Sequence, residues 1–291
     1  MKLLFGIICL LSFNSFAEEI RYEQVKREYE NILTKKYVLM PHKGTYILPI
    51  SYNNNPNHSV FEPIEQEVGD DSRGRFTRYL ETEFQVSFLI LTNRKIFGSN
   101  FDTFLGYTHK AFWQLYNEDW SRPFRETNYT PEGFARYIFD KPKDFLGLNL
   151  VAYDFGLVHQ SNGQIQELSR SWNRAFTRVV FLSGSTVFNL SLWYRFPEDR
   201  EDDDNPYIYR YLGYGEIDIN HKFKEDDLNL KIIPGTQYIS GEISYSTPWK
   251  EGLRFYAKAS YGRGLSLQDY DHENRRVGLG LILANPFVTK D

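Results

Sequence analysis

The sequence predicts an all-β protein, a transmembrane antiparallel β-barrel of about twelve strands with a short N-terminal periplasmic segment. Apolar and polar residues alternate over several runs of ten or more residues, longer than most strands of soluble proteins. Aromatic residues make up 17% of the 291 residues, although the mean hydropathy is negative. Beyond the N-terminus, no apolar stretch is long enough for a membrane-spanning helix. A soluble β-sandwich or barrel shares the alternation, but its strands are usually shorter.

An N-terminal signal peptide is predicted for residues 1–17. Lys2 precedes the apolar run Leu3–Leu11, and small residues flank a cleavage site at Ala17. The single cysteine, Cys9, lies inside this segment, so the mature chain is expected to have no disulfide and no thiol chemistry. The formal net charge of −4 is not the footprint of a nucleic-acid-binding protein.

The remaining chain divides into a periplasmic segment, residues 18–42, and a barrel domain, residues 43–291. The segment is charged and contains a predicted short helix near 21–35. Residues 117–131 read as an external loop, and residues 141–144 as a tight turn. The predicted strands lie near residues 44–52, 82–92, 102–116, 132–140, 146–161, 171–182, 186–196, 208–223, 228–233, 237–247, 252–262 and 274–284.

The alternation also assigns the two faces of the barrel wall. In the third strand Leu105, Tyr107 and Trp113 share one face with His109, while Lys110 points the other way into a polar lumen. With both termini in the periplasm, odd-numbered strands run outward through the outer membrane. The acidic run 198–204 reads as a solvated loop, although it has the charge to bind cations.

Three residues suggest a catalytic set at the outer end of the fifth strand. His159 and Ser161 follow an apolar run on the same face of that strand, and Asn173 lies on the uncharged face of the next one. If the strands are neighbours, a nucleophile, a base and a group that orients the base converge. The simpler interpretation is an interfacial histidine followed by a loop. Their face is apolar, which places the set towards the outer leaflet.

Two segments, His159 to Gly163 and Ser169 to Arg174, resemble the active-site segment of outer membrane phospholipase A. Residues 123–129, residues 203–206 and the pairs Tyr261-Gly262 and Asp269-Tyr270 are also similar to that family. The similar stretches extend from about residue 82 to residue 284, most of the mature chain.

The resemblance implies a calcium-dependent phospholipase A1/A2 of the outer membrane that is active as a homodimer. By position, Ser161 is then the nucleophile, His159 the general base and Asn173 the residue that orients the base. The Gly163 N–H contributes to an oxyanion hole. The implied calcium ligands are Ser121 from the second subunit, Gln164 and Ser169, in part through backbone carbonyls.

The chain departs from the family at three places, one of which is its end, where Phe287 is followed by Val-Thr-Lys-Asp although barrels commonly end on an aromatic residue. Residues 164–168 are less polar than in the family, which puts side-chain ligands in doubt but not carbonyl ligands. His109 stands where the family tends to have glutamine on its dimer-facing surface. The alternative function is a non-enzymatic barrel, a small porin or structural protein, which needs no catalytic set. An outer membrane protease is expected to pair carboxylates with a histidine at the rim, and the sequence shows no such pairing.

Overall fold

The structure is a computed structural model that describes residues 15–34, 39–68 and 74–284. Most of the predicted signal peptide, including Cys9, lies outside these ranges. The described residues include three α-helices: α1 (Ser15–Leu33), α2 (Glu62–Val68) and α3 (Tyr209–Leu212). The strands are β1 (Leu39–Pro41), β2 (Tyr46–Asn53), β3 (Leu80–Asn93), β4 (Phe101–Trp113), β5 (Phe124–Phe145), β6 (Leu148–Ser161), β7 (Ser171–Ser183), β8 (Thr186–Arg195), β9 (Gly215–Phe223), β10 (Asp226–Pro234), β11 (Ile239–Lys250), β12 (Leu253–Gly262) and β13 (Asn274–Leu283).

Strands β2 to β13 form a closed antiparallel barrel of twelve strands, which confirms the predicted fold class. Each strand pairs with the next along the chain, and β13 pairs with β2 to close the ring. The short β1 pairs with β3 below β2, with Met40 opposite Leu89. Strand β1 therefore extends the line of β2 alongside β3. Its residues belong to the segment that the sequence predicts to be the periplasmic N-terminus. Closure matters because a bilayer offers no partners to unpaired backbone groups.

The distribution of side chains is the reverse of that in a soluble protein. Leu105, Phe155 and Leu157 point outward and keep half or more of their surface exposed. Charged side chains fill the interior, where Glu81, Glu83, Arg125, Asp154, Lys258 and Arg276 are nearly fully buried. The apolar exterior meets lipid, while ion pairs satisfy the charges inside. This arrangement explains why a chain with negative mean hydropathy crosses a membrane.

Helix α1 packs against the interior of the barrel at the end where the strands are joined by short turns. Its Tyr29 and Leu33 join a buried apolar cluster with Met40, Leu89 and Phe104. Lys26 Nζ donates to the carbonyl of Asp140 at 3.1 Å. None of the helices in the described ranges combines the length and apolar character needed to cross a bilayer.

Two strands differ from their predicted bounds by five residues or more, while the other strands agree within three residues. Strand β5 extends over residues 124–145, beyond the predicted 132–140, and the turn lies at Leu146-Gly147 instead of residues 141–144. The sequence pattern assigned the first eight residues of β5 to a loop because charged side chains such as Arg125 point inward. Buried Arg125 pairs with Glu81 at 3.0 Å and with Asp269 at 2.8 Å. A lumen-facing position tolerates such residues once partners are supplied.

The other difference is at β9, which begins at Gly215 and not at residue 208. The preceding residues form α3, and the fully buried Ile208 packs with Trp172, Leu267 and Tyr270. An apolar residue in this stretch therefore packs over the mouth of the barrel rather than in its wall. The long loops all lie at this end, which identifies it as the external one.

Candidate active site

The histidine and asparagine of the predicted catalytic set face each other across strands β6 and β7. His159 is the direct register partner of Asn173, and its Nδ1 lies 2.8 Å from Asn173 Oδ1. Since an amide oxygen only accepts, His159 carries its proton on Nδ1 in this arrangement. The other ring nitrogen, Nε2, is then unprotonated and can act as a base.

Ser161 lies two residues beyond His159 on the same outward face, at the external end of β6. It is the register partner of Tyr129 on β5, and Tyr129 is in turn the partner of His109 on β4. The two rings of that second pair contact edge to face, with centroids 5.0 Å apart. In the described residues the Ser161 hydroxyl has no hydrogen bond to His159. The structure thus forms the histidine–asparagine half of the set and leaves the serine accessible.

Gly163 occupies a place in the following loop that no other residue fills without strain. Its φ of +64° lies in the left-handed region, and a Cβ there would come within 2.9 Å of the Tyr129 ring. Both constraints require glycine. The backbone of the loop therefore packs directly on the ring of Tyr129, the register partner of Ser161.

Asn162 is a positioning residue that sequence reasoning assigned only to the start of a loop. It is 1% exposed, and its Nδ2 donates to the carbonyl of Leu168 at 2.7 Å and to Gln268 Oε1 at 2.8 Å. Its Oδ1 accepts from the backbone N–H of Arg170 at 2.9 Å and of Gln164 at 3.2 Å. One side chain thus closes the 162–170 loop. The sequence feature that indicates this role is an asparagine placed directly after a strand and before a glycine.

We expect Asn162→Ala to lower the phospholipid hydrolysis that the resemblance implies by roughly 100-fold, since misplacing a catalytic loop by about 1 Å has effects of that size. The barrel should persist because the strands keep their own backbone pairing. Initial rates on phospholipid micelles measure the loss, and heat-dependent gel mobility reports folding. Asn100→Ala, at an exposed asparagine of the opposite barrel end, is the matched control. Equal activity in both variants would exclude this role.

A family model described as "Phospholipase A1" matches residues 22–283. The chain belongs to the phospholipase A1 family. A phospholipase A1 of Proteus vulgaris is 33% identical over 263 residues, which cover 90% of this chain and 85% of that protein. A relative from Neisseria meningitidis serogroup B is 33% identical over 246 residues; the match covers 83% of this chain and 64% of the longer relative.

Solved structures agree with this assignment. A calcium-bound dimer of the outer membrane phospholipase from Salmonella typhi is 31% identical, with a TM-score of 0.79, covering 88% of this chain and 96% of that one. An active-site mutant of the Escherichia coli enzyme, in which an asparagine is replaced by alanine, is 28% identical, again with a TM-score of 0.79, covering 94% and 99%. This phospholipase is therefore an enzyme and a β-barrel protein of the outer membrane.

The predicted calcium ligands of this phospholipase lie in two external loops. Gln164 and Ser169 belong to the 162–170 loop, and Ser169 Oγ donates to Asp204 Oδ2 at 2.6 Å. Ser121 is exposed in the β4–β5 loop in a left-handed conformation, with φ of 56°. In the described residues it makes no hydrogen bond to the 162–170 loop of its own chain. The described part of the chain contains no cluster of three or more His, Cys, Asp or Glu suited to a metal.

The acidic run 198–204 is exposed at residues 199–202, as expected for a solvated loop, but Glu198, Asp203 and Asp204 are held by contacts. Arg195 NH2 lies 2.5 Å from Asp203 Oδ1 and 2.9 Å from Asn205 Oδ1. Asp204 reaches Ser169, as described above, and Glu198 Oε1 lies 3.3 Å from Asn173 Nδ2. The loop is therefore attached both to the candidate calcium ligands and to the catalytic set. The alternation of apolar and polar residues along a strand does not predict such contacts of a loop.

Proposed function

We propose that the protein hydrolyses acyl esters of phospholipids and lysophospholipids at the outer leaflet through Ser161, His159 and Asn173. The observation that carries this proposal is the 2.8 Å bond between His159 Nδ1 and Asn173 Oδ1 on the outward face, beside Ser161. A pore has no need for an oriented imidazole facing lipid, and polar groups placed there are generally functional.

In the proposed reaction His159 Nε2 removes the hydroxyl proton of Ser161 as the serine oxygen attacks the ester carbonyl. The C–O bond to the glycerol then breaks, and the alcohol leaves with the proton from His159. Water repeats the sequence on the acyl-enzyme and releases the fatty acid. Asn173 accepts the Nδ1–H throughout and thereby holds the tautomer, although a neutral amide stabilises the imidazolium less than a carboxylate does. The Gly163 N–H faces the oxyanion.

The surroundings of the set suit a substrate that arrives within the membrane. Phe155 and Leu157 precede His159 on the same face and are 50% and 59% exposed. Acyl chains in the outer leaflet would pack along this apolar strand while their ester groups reach the polar end of β6. A substrate that never leaves the bilayer needs no deep cleft in a single barrel.

Calcium is the proposed cofactor, and the residues present fit it. The donors that the 162–170 loop brings together are oxygens, and the hydroxyl of Ser169 lies 2.6 Å from a carboxylate oxygen of Asp204. A hard cation prefers such ligands. Gln164 would contribute its backbone carbonyl, Ser169 its hydroxyl and Ser121 of a second copy its oxygen. When bound, calcium supplies positive charge near the developing oxyanion. The calcium-bound Salmonella typhi dimer supports both the cofactor and the homodimer.

The interior of the barrel does not favour the alternative of a porin. Residues 265–270, in the β12–β13 loop, are buried inside the outer mouth. Gln268 N donates to Glu126 Oε1 at 2.7 Å, and Lys110 Nζ donates to the carbonyl of Leu265 at 3.2 Å. These bonds fasten the loop across the mouth, where a pore requires an open path.

The test is hydrolysis by the purified, refolded protein in detergent micelles that contain phosphatidylcholine, with calcium or with a chelator. We expect free fatty acid to be released with calcium and to fall to the background rate with the chelator; mass spectrometry identifies the products. Conductance across a planar bilayer tests the porin alternative. Steady ion conductance without any fatty acid release would contradict the proposed function.

A further inference from the structure

A carboxylate contacts the far side of Asn173, the residue that orients the base. Glu198 Oε1 lies 3.3 Å from Asn173 Nδ2, while Asn173 Oδ1 faces His159. The backbone supports the same arrangement, because Phe196 N donates to the carbonyl of Asn173 at 2.9 Å. The segment after β8 is therefore fastened beside Asn173 by a main-chain bond, and Glu198 is two residues further on.

The amide of an asparagine has the same shape in both orientations, but only one is useful here. His159 Nδ1 carries a proton only if it faces Oδ1; if the amide turned over, Nδ2 would donate to Nδ1 and leave the proton on Nε2. His159 would then be unable to accept the proton of Ser161. A catalytic asparagine therefore needs something that distinguishes its oxygen from its nitrogen. An aspartate in this position would not need it.

We propose that Glu198 is a positioning residue that fixes the amide of Asn173 with Oδ1 towards His159. A carboxylate accepts from Nδ2 and repels Oδ1, so the reversed amide loses a hydrogen bond and gains a repulsion. This inference rests on the proposed function, since it concerns the base of that reaction.

Glu198 is itself held in place and is not a freely moving surface carboxylate. Its side chain is 19% exposed, and its Oε2 lies 3.5 Å from Arg195 NH2. Arg195 is anchored in turn by Asp203 and Asn205. Asn173 itself is exposed, so Glu198 is held beside it by the ion pair with Arg195 and by the neighbouring main-chain bond. A series of polar contacts thus connects Arg195 through Glu198 and Asn173 to His159.

The experiment compares kcat and KM for Glu198→Ala, Glu198→Gln and Asn173→Ala, together with the double variant Glu198→Ala/Asn173→Ala. We expect Glu198→Ala to lower kcat about tenfold, or about 1.4 kcal/mol, with little change in KM. Glu198→Gln should recover most of this loss because its Oε1 still accepts from Nδ2. In the Asn173→Ala background the removal of Glu198 should have no further effect, since Glu198 acts through Asn173.

Glu201→Ala, at an exposed carboxylate of the same loop, is the matched control and should retain wild-type activity. Heat-dependent gel mobility confirms that each barrel is folded. Wild-type kcat in Glu198→Ala, an equal loss in Glu198→Gln, or an additive loss in the double variant would each overturn the proposal. Failure of the proposed function itself is recognised separately, as activity that survives in Ser161→Ala.

Discussion

Phospholipid hydrolysis by the Ser161→Ala and His159→Ala proteins should fall at least about 10⁴-fold, while the barrel still folds. The physical reason is that a serine hydroxyl is a weak nucleophile until a neighbouring base removes its proton, so the loss of either group stops the reaction. Both residues lie on the outward face at the end of β6, where a smaller side chain disturbs no core contact. Fatty acid release measures the activity, and heat-dependent gel mobility measures the folding.

Asn173→Ala should retain roughly 10- to 100-fold more activity than Ser161→Ala, because Asn173 only orients the base. Ser171→Ala is the matched control: Ser171 is the register partner of Ser161 on β7 and offers a second hydroxyl at the same level. Its activity should stay at the wild-type value. Undiminished hydrolysis by folded Ser161→Ala would end the proposed mechanism, and equal, complete loss in all three variants would argue against the separate roles.

Calcium and a second copy of the chain should both be required for activity, each strengthening the binding of the other. We expect the second copy to contact the outward face of β4 around His109. Ser161 lies in the same row, because His109, Tyr129 and Ser161 are successive register partners on β4, β5 and β6. Two strand spacings separate the outer members, or roughly 10 Å. A second barrel seated on β4 would therefore border Ser161, form a groove for acyl chains and bring its Ser121 towards Ser169.

Sedimentation in detergent, with calcium or with a chelator and with an acyl-serine-forming inhibitor, measures this linkage. We expect chelation to weaken dimerisation roughly 5- to 150-fold. The paired substitution Tyr107→Ala/His109→Ala should weaken it too, since we expect His109 to form a hydrogen bond across the interface, where hydrocarbon offers no competing water. Ile243→Ala/Tyr245→Ala, on the exposed face of β11, is the control. Equal dimerisation after chelation, or full hydrolysis by a strict monomer, would refute the mechanism.

The sequence by itself determined the class of fold, and it identified His159, Ser161 and Asn173 as the residues of the proposed catalytic set. Alternation with a period of two is a local property, so it specifies which face of each strand meets lipid wherever a strand is regular. For the same reason His159 and Ser161, two residues apart, fall on one face in any extended backbone. The short spacing between β6 and β7 made neighbouring strands the simplest topology, and the structure has His159 opposite Asn173.

The tertiary structure alone decided what surrounds that set. The first eight residues of β5 belong to the barrel, where buried Arg125 is paired with Glu81 and Asp269. Because these partners are distant in the chain, no local pattern predicts the pairing. Asn162 reaches Gln268 across 106 residues, and Glu198 reaches Asn173 from the loop after β8. Such contacts depend on how loops fold over the closed barrel, which side-chain periodicity does not encode.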